Sequence, residues 1–478
     1  MHDINEVEEM TMNDENLNQH IDGLRDELIK AVQDCVQFKS VKDMDHVSPG
    51  APFGPGIRDC LEWTLSLGEQ LGFEVKNIDG YAGQIEMGSG ELLGILGHLD
   101  VVPEGDGWSV PPYSGTIKEG RIYGRGALDD KGPTLAALFA MKALKDANIP
   151  LKKKIRLILG TDEESGWEDM DYYKTKEDIP VQGFAPDAEF PLIHAEKGIF
   201  HLELSKQFNP LPHLIRIQGG ERANVVPDSC QVVLKGFTRE ELSRKLSQYT
   251  FPEGVTGDLE SLSGAEEEGL VLIFKGVGAH GSLPQKGKNA VLYALQFLAG
   301  LDLSQEEAEL ITWLNNRPGT GFFGEGFNIA FADEPSGKLS LNLGIMDLNP
   351  QGLRFVIDIR YPVTFQGDQI LKPVEACGQE IGLEMKALTH QKAHHVPKDS
   401  PLVTSLLKAY SDVTGLEGYA FAIGGGTYAK VLPQGVAFGP LLPGEPEVIH
   451  CPDEYMAIDS LILACKVYAQ AILNLAGE

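Results

Sequence analysis

His98-Leu99-Asp100 sets an imidazole and a carboxylate two residues apart, just after the apolar run Leu92–Leu96. Side chains two apart share one side of an extended backbone. Asp100 can therefore accept one ring N–H of His98 and leave the other nitrogen free for a cation. Taken alone, such a pair is more often a structural hydrogen bond. Asp129 and Asp130 come next, in Tyr123-Gly124-Arg125-Gly126-Ala127-Leu128-Asp129-Asp130-Lys131-Gly132-Pro133, just ahead of a helical segment. A helix cap accounts for one aspartate there, and two in succession leave one for another task, such as bridging two cations. Gly160-Thr161-Asp162-Glu163-Glu164-Ser165-Gly166 ends the run Ile155–Leu159. Neighbouring side chains on extended backbone point opposite ways. One of Glu163 and Glu164 can then hold a metal while the other acts as general base on a bound water. Asp187 in Ala185-Pro186-Asp187-Ala188-Glu189 and His450 in Val448-Ile449-His450-Cys451-Pro452-Asp453-Glu454 complete the set. Each motif alone also reads as a cap, a solvated turn or a local hydrogen bond; together they form a mixture of nitrogen and oxygen ligands suited to Zn²⁺, Mn²⁺ or Co²⁺.

The elements that must position these residues are legible from periodicity. Helical spacing of apolar residues runs over 16–38, 56–71 and 132–147, with buried strands at 92–96 and 155–159. That alternation predicts a mostly parallel sheet with helices on both faces, whose sites lie at the carboxyl ends of the strands. Beyond Gly198 the texture changes to alternating strands (231–235, 270–275, 339–344, 353–359) with helices at 240–249, 289–298 and 369–381. From Ser400 the first style returns, with a helix at 402–413, a strand at 435–439 and a closing helix from 457. The expectation is an α/β protein of two domains: a discontinuous metal-binding domain, 16–197 plus 396–478, and an inserted α+β domain, 198–395, with room for two ferredoxin-like units. Residues 1–15 are too polar to bury anything and are expected as a loose acidic tail.

Composition excludes several classes. The chain has 478 residues, 42% of them hydrophobic, and a net charge of −30, which argues against nucleic acid and anionic membrane surfaces as partners. Six scattered cysteines without a CxxC pair do not resemble a disulfide scaffold. No signal-like or membrane-spanning apolar run stands out, so the cytoplasm is the expected location. Gly424-Gly425-Gly426-Thr427 offers backbone N–H groups before a short helix, suited to a carboxylate; it lacks the GK[ST] step of a nucleotide loop.

The motifs GHLDVVPEGDGW, YGRGALDDKGP, GTDEESGW, APDAE and IHCPDE, in this order, resemble the co-catalytic zinc peptidases that include carboxypeptidase G, aminoacylase, succinyl-diaminopimelate desuccinylase and the dipeptidase PepV. The resemblance spans nearly the whole chain after the acidic tail. It implies that His98 and Asp187 bind one metal, that Glu164 and His450 bind the other, and that Asp129 bridges them, followed by a cis peptide bond. It also implies Glu163 as general base and Asp100 as the orienter of His98. In Gly276-Val277-Gly278-Ala279-His280-Gly281-Ser282, His280 would stabilise the oxyanion. Arg360 of Asp358-Ile359-Arg360-Tyr361-Pro362 would hold a substrate carboxylate, with Asn224, Gly425 and Gly426 as further contacts. The long insert and the motif details resemble the PepV group, which implies a monomer whose lid closes over its own site and whose substrate is an unblocked dipeptide, β-alanyl-histidine types included. An N-acyl amino acid deacylase with the same site is the rival enzyme, and a non-catalytic metal-dependent binding protein the rival from another class.

Overall fold

The computed structural model describes residues 17–260 and 269–477; the acidic stretch 1–15 lies outside them. The chain divides into two compact units. One takes the residues up to His194, then His395–Phe421 and the residues from Gly426 on; the other takes Ala195–His394 with Ala422–Gly425.

In the first unit the sheet runs Glu74–Ile78, Ala82–Met87, Lys153–Gly160, Glu91–His98, Gln182–Ala185, Gln434–Ala437. The last four of these are mutually parallel; the first two pair antiparallel with each other and with Lys153–Gly160. The sheet is thus mixed where a mostly parallel one was expected. The two antiparallel strands join through a short turn, Asp79–Tyr81, which needs no crossover helix. Helix Lys131–Asp146 is apolar nearly all round, and thirteen of its sixteen residues are buried, as befits a central helix. Helix Ile458–Ala476 is the one described helix long and apolar enough to cross a membrane; most of its surface is buried in the core of this unit, against residues such as Phe184, Phe438 and Leu135.

The second unit is built on one eight-stranded sheet. Its order is Thr256–Glu260, Leu270–Lys275, Ser229–Leu234, Leu214–Gly219, Ser340–Asn349, Gly352–Tyr361, Gly198–Gln207, Glu384–Gln391. Every neighbouring pair is antiparallel. Along Gly198–Gln207 the alternation is clean: Phe200, Leu202 and Leu204 are buried while His201, Glu203 and Ser205 between them are partly exposed. The core includes the helices Ala290–Leu298 and Gln305–Asn316. The latter begins with a capping box in which Ser304 and Glu307 satisfy each other's backbone N–H.

Candidate metal centre

Parallel register explains why distant residues meet in the first unit. His98 pairs with Gly160 at the end of the sheet's central ladder, and Gln182–Ala185 runs parallel on the other side of Glu91–His98. Three segments, 98–100, 161–164 and 186–187, therefore leave the sheet at the same edge. The loop ahead of helix Lys131–Asp146 and the turn at His450 supply the rest. The peptide bond Asp129-Asp130 is cis, and His450 has φ 58°.

Two clusters result. His98, Asp129 and Asp187 offer ligand atoms within 4.8 Å of one another, and so do Asp129, Glu164 and His450. Asp129 belongs to both, with a different oxygen in each. Its Oδ1 lies 3.0 Å from His98 Nε2 and its Oδ2 lies 3.0 Å from His450 Nε2. His450 Nε2 is 3.1 Å from Glu164 Oε1, and His98 Nε2 is 3.8 Å from Asp187 Oδ2. Asp130 turns away, its Oδ2 accepting the His98 N–H and the Thr134 hydroxyl at 3.2 and 2.9 Å. The two adjacent aspartates are thereby told apart.

The glutamates separate in the same way. Glu164 faces His450, whereas the Glu163 carboxylate has no hydrogen-bond partner among the described residues. Burial raises the Glu163 carboxyl well above its ordinary value; His98 offsets part of this, and Glu164, Asp129 and Asp100 add to it. Burial and the charge of Asp129 raise Glu164 and Asp187 as well. Asp129 itself is held well below the usual range, because its bonds to His450 and His98 outweigh burial. Burial disfavours a charged His450, yet Asp129 and Glu164 bring it up to about 11. Carboxylates crowded like this repel unless positive charge sits among them. One imidazole and two carboxylates per cluster, sharing one bridging carboxylate, is a donor set that fits a pair of divalent cations.

Asp100 faces both His98 and the neighbouring loop. The ring Nδ1 of His98 lies 2.9 Å from the main-chain oxygen of Asp100 and 3.5 Å from its Oδ1. The carboxylate also accepts the backbone N–H groups of Glu163 and Glu164, each at 3.1 Å. Asp100 thus meets the ring with its main-chain oxygen and the neighbouring loop with its carboxylate.

Sequence reasoning gave no role to two further carboxylates. Asp169 Oδ2 accepts the N–H groups of Thr161 and Asp162 and the Tyr428 hydroxyl; burial, eased by these bonds, leaves its carboxyl at about 7. Glu454 is fully buried and braces the loop that carries Asp129. Spacing alone does not distinguish such supports from ligands.

Of the remaining candidates, His280, Asn224, Arg360 and Gly425 lie in the second unit. His280 Nδ1 is 2.7 Å from the Ser282 hydroxyl, and the Gly281 N–H donates to the Asn224 main-chain oxygen at 2.7 Å. Arg360, 4% exposed, gives Nε and Nη2 to the two oxygens of Asp358 at 2.7 and 2.9 Å and Nη1 to Gly424 O at 2.8 Å. The fork expected to grip a ligand is thus engaged by Asp358, leaving two of the guanidinium's five N–H donors. The glycine run is divided, with Gly425 in the second unit and Gly426 in the first. The helix expected after it is a four-residue 3₁₀ turn, Tyr428–Val431, capped by Thr427; so short an element sums little dipole.

Comparison with known proteins identifies the family. The model of peptidase family M20/M25/M40 matches residues 94–474. The Bacillus subtilis protein named "Putative dipeptidase YtjP" is 41% identical over 95% of this chain and 98% of its own. Among solved structures, the di-peptidase Dug1p from Saccharomyces cerevisiae has a TM-score of 0.58 at 16% identity, covering 96% of this chain and 98% of that one. Human carnosine dipeptidase 1 has a TM-score of 0.56 at 15% identity, covering 97% and 99%. With a family model across most of its length and a relative at that identity, the chain belongs to peptidase family M20/M25/M40.

Proposed function

We propose that this protein is a dipeptidase acting on unblocked dipeptides with two divalent cations, Zn²⁺ first and Mn²⁺ or Co²⁺ as alternatives. The observation that carries the reading is the pair of Asp129 oxygens, each directed at a different histidine; one carboxylate so placed spans two adjacent cation positions. His98 and Asp187 would hold one cation and Glu164 and His450 the other. Bound there, the cations would supply Lewis acidity to polarise a scissile carbonyl and acidify a water. Glu163, whose carboxylate has no hydrogen-bond partner among the described residues and is raised by burial, is assigned to take the proton of the attacking water and return it to the leaving amine. Asp100 fixes its backbone. The relative named as a dipeptidase supports this substrate class. In the second unit His280 is assigned to the developing oxyanion. Asn224, Gly425 and the two remaining N–H groups of Arg360 are assigned to the substrate's carboxylate, with the unit acting as a lid on a monomeric enzyme.

The test is hydrolysis of dipeptides, tripeptides and N-acyl amino acids by chelator-stripped protein refilled with Zn²⁺ or Mn²⁺, beside Glu163→Ala. Cleavage confined to dipeptides, restored by metal and lowered about 10²–10⁴-fold in the variant, is the expected outcome. Cleavage of N-acyl amino acids alone would replace the dipeptidase by a deacylase.

A further inference from the structure

Glu454 lies four residues beyond His450 and has no solvent exposure. Its Oε1 accepts three main-chain N–H groups from the loop that ends in Asp129: Gly126 at 3.0 Å, Leu128 at 3.0 Å and Asp129 at 3.2 Å. Its Oε2 takes Arg125 Nη1 at 2.6 Å, and its own main-chain oxygen accepts the Gly124 N–H at 2.9 Å. Strand pairing fixes both segments, since Tyr455 lies opposite Tyr123 in the antiparallel ladder between Tyr455–Ala457 and Arg121–Tyr123. Gly126 makes the loop's curvature possible: its φ is +85°, and a Cβ there would sit 2.8 Å from Val101. Arg125 is held in turn by the Glu104 main-chain oxygen at 3.2 Å and lies 5.3 Å from the Trp108 ring.

The consequence is geometric. Asp129 and His450, the two residues that face each other at 3.0 Å in the second cluster, sit on segments far apart in sequence, and Glu454 ties those segments together. A buried carboxylate serving three backbone donors of one ligand's loop, from a position on the other ligand's loop, sets their separation. We propose that Glu454, braced by Arg125, is a positioning residue that holds Asp129 and His450 at the spacing a second cation requires. The proposal rests on the two-cation reading of the site.

The test is titration of metal-stripped protein with Co²⁺, followed by calorimetry and by the visible absorption of the bound ion, in wild type, Glu454→Gln and the control Glu86→Gln. Glu86 belongs to a buried ion pair with Arg156 in the same unit, away from the clusters, so its loss reports destabilisation alone. Removing supports of this kind weakens metal affinity about 10–100-fold. The expectation is that wild type takes up two equivalents, that the weaker equivalent loses that much affinity in Glu454→Gln with an altered Co²⁺ spectrum, and that Glu86→Gln binds as wild type does, although both variants melt at lower temperature without metal. Two equivalents at unchanged affinity and spectrum in Glu454→Gln would overturn the role of Glu454 and leave the two-cation reading standing. Uptake of a single equivalent by wild type would overturn that reading and the proposal with it.

Discussion

Asp100 holds Glu163 by its backbone: the Asp100 Oδ1 accepts the Glu163 N–H at 3.1 Å, and Oδ2 accepts that of Glu164. One side chain therefore locks the loop that carries both glutamates, while its main-chain oxygen orients the His98 ring. Substituting Asp100→Ala should leave the His98 contact in place and free the loop. The expected result is a fall in kcat of about 10–100-fold with a comparable loss of metal affinity, read by steady-state kinetics and Co²⁺ titration. An effect on affinity with kcat unchanged would mean that the loop's position matters only to Glu164.

Asp129 is shared by both clusters and His450 belongs to one. Asp129→Ala should therefore strip both cations after dialysis, whereas His450→Ala should retain one. Metal content per chain by mass spectrometry distinguishes them. Equal retention in the two variants would contradict the bridging geometry.

Arg360 and Asp358 form a buried pair. Arg360→Ala leaves the Asp358 charge without its partner, and removing one member of such a pair costs about 3–5 kcal/mol. Urea denaturation of the variant should show that loss whether or not substrate is present. Unchanged stability with a raised KM would instead indicate a guanidinium devoted to substrate.

Glu307 provides a pH-dependent anchor in the second unit. Burial would raise its carboxyl, but bonds from the His213 ring and N–H, the Leu214 N–H and Ser304 bring it down to about 2. A carboxyl depressed in the folded state contributes stability that is complete above its unfolded pKa, near 4.5, and is lost as pH falls toward about 2. Glu307→Gln should thus be less stable than wild type at pH 7, by up to about 3 kcal/mol. The gap should close as pH drops below about 4.5. Denaturant melts of both proteins at pH 7, 4 and 3, the last well inside the window between the two pKa values, provide the check, and a constant gap would exclude a contribution from ionisation.

The sequence by itself determined which residue types stand at the ends of which apolar runs. Leu92–Leu96 and Ile155–Leu159 are apolar enough to be central strands, so His98 and Glu163-Glu164 had to emerge at an edge, and the order of the motifs identified the family. Local pattern also located the helices at 56–71, 132–147 and 402–413 to within a residue or two, because each buries a face whose 3.6-residue period is written in the chain. The edge strand Glu74–Ile78 and its neighbour Ala82–Met87 were not legible, since the first is largely exposed and the second begins Ala-Gly-Gln. The resemblance to a family singled out Asp129 and assigned Glu163 and Glu164 different tasks, which local spacing could not do, for adjacent carboxylates are chemically alike and their neighbours across the fold differ. Tertiary structure alone decided that Asp100 braces a loop and that Glu454 is a support: hydrogen bonds between segments tens to hundreds of residues apart depend on register and packing, which no local spacing encodes.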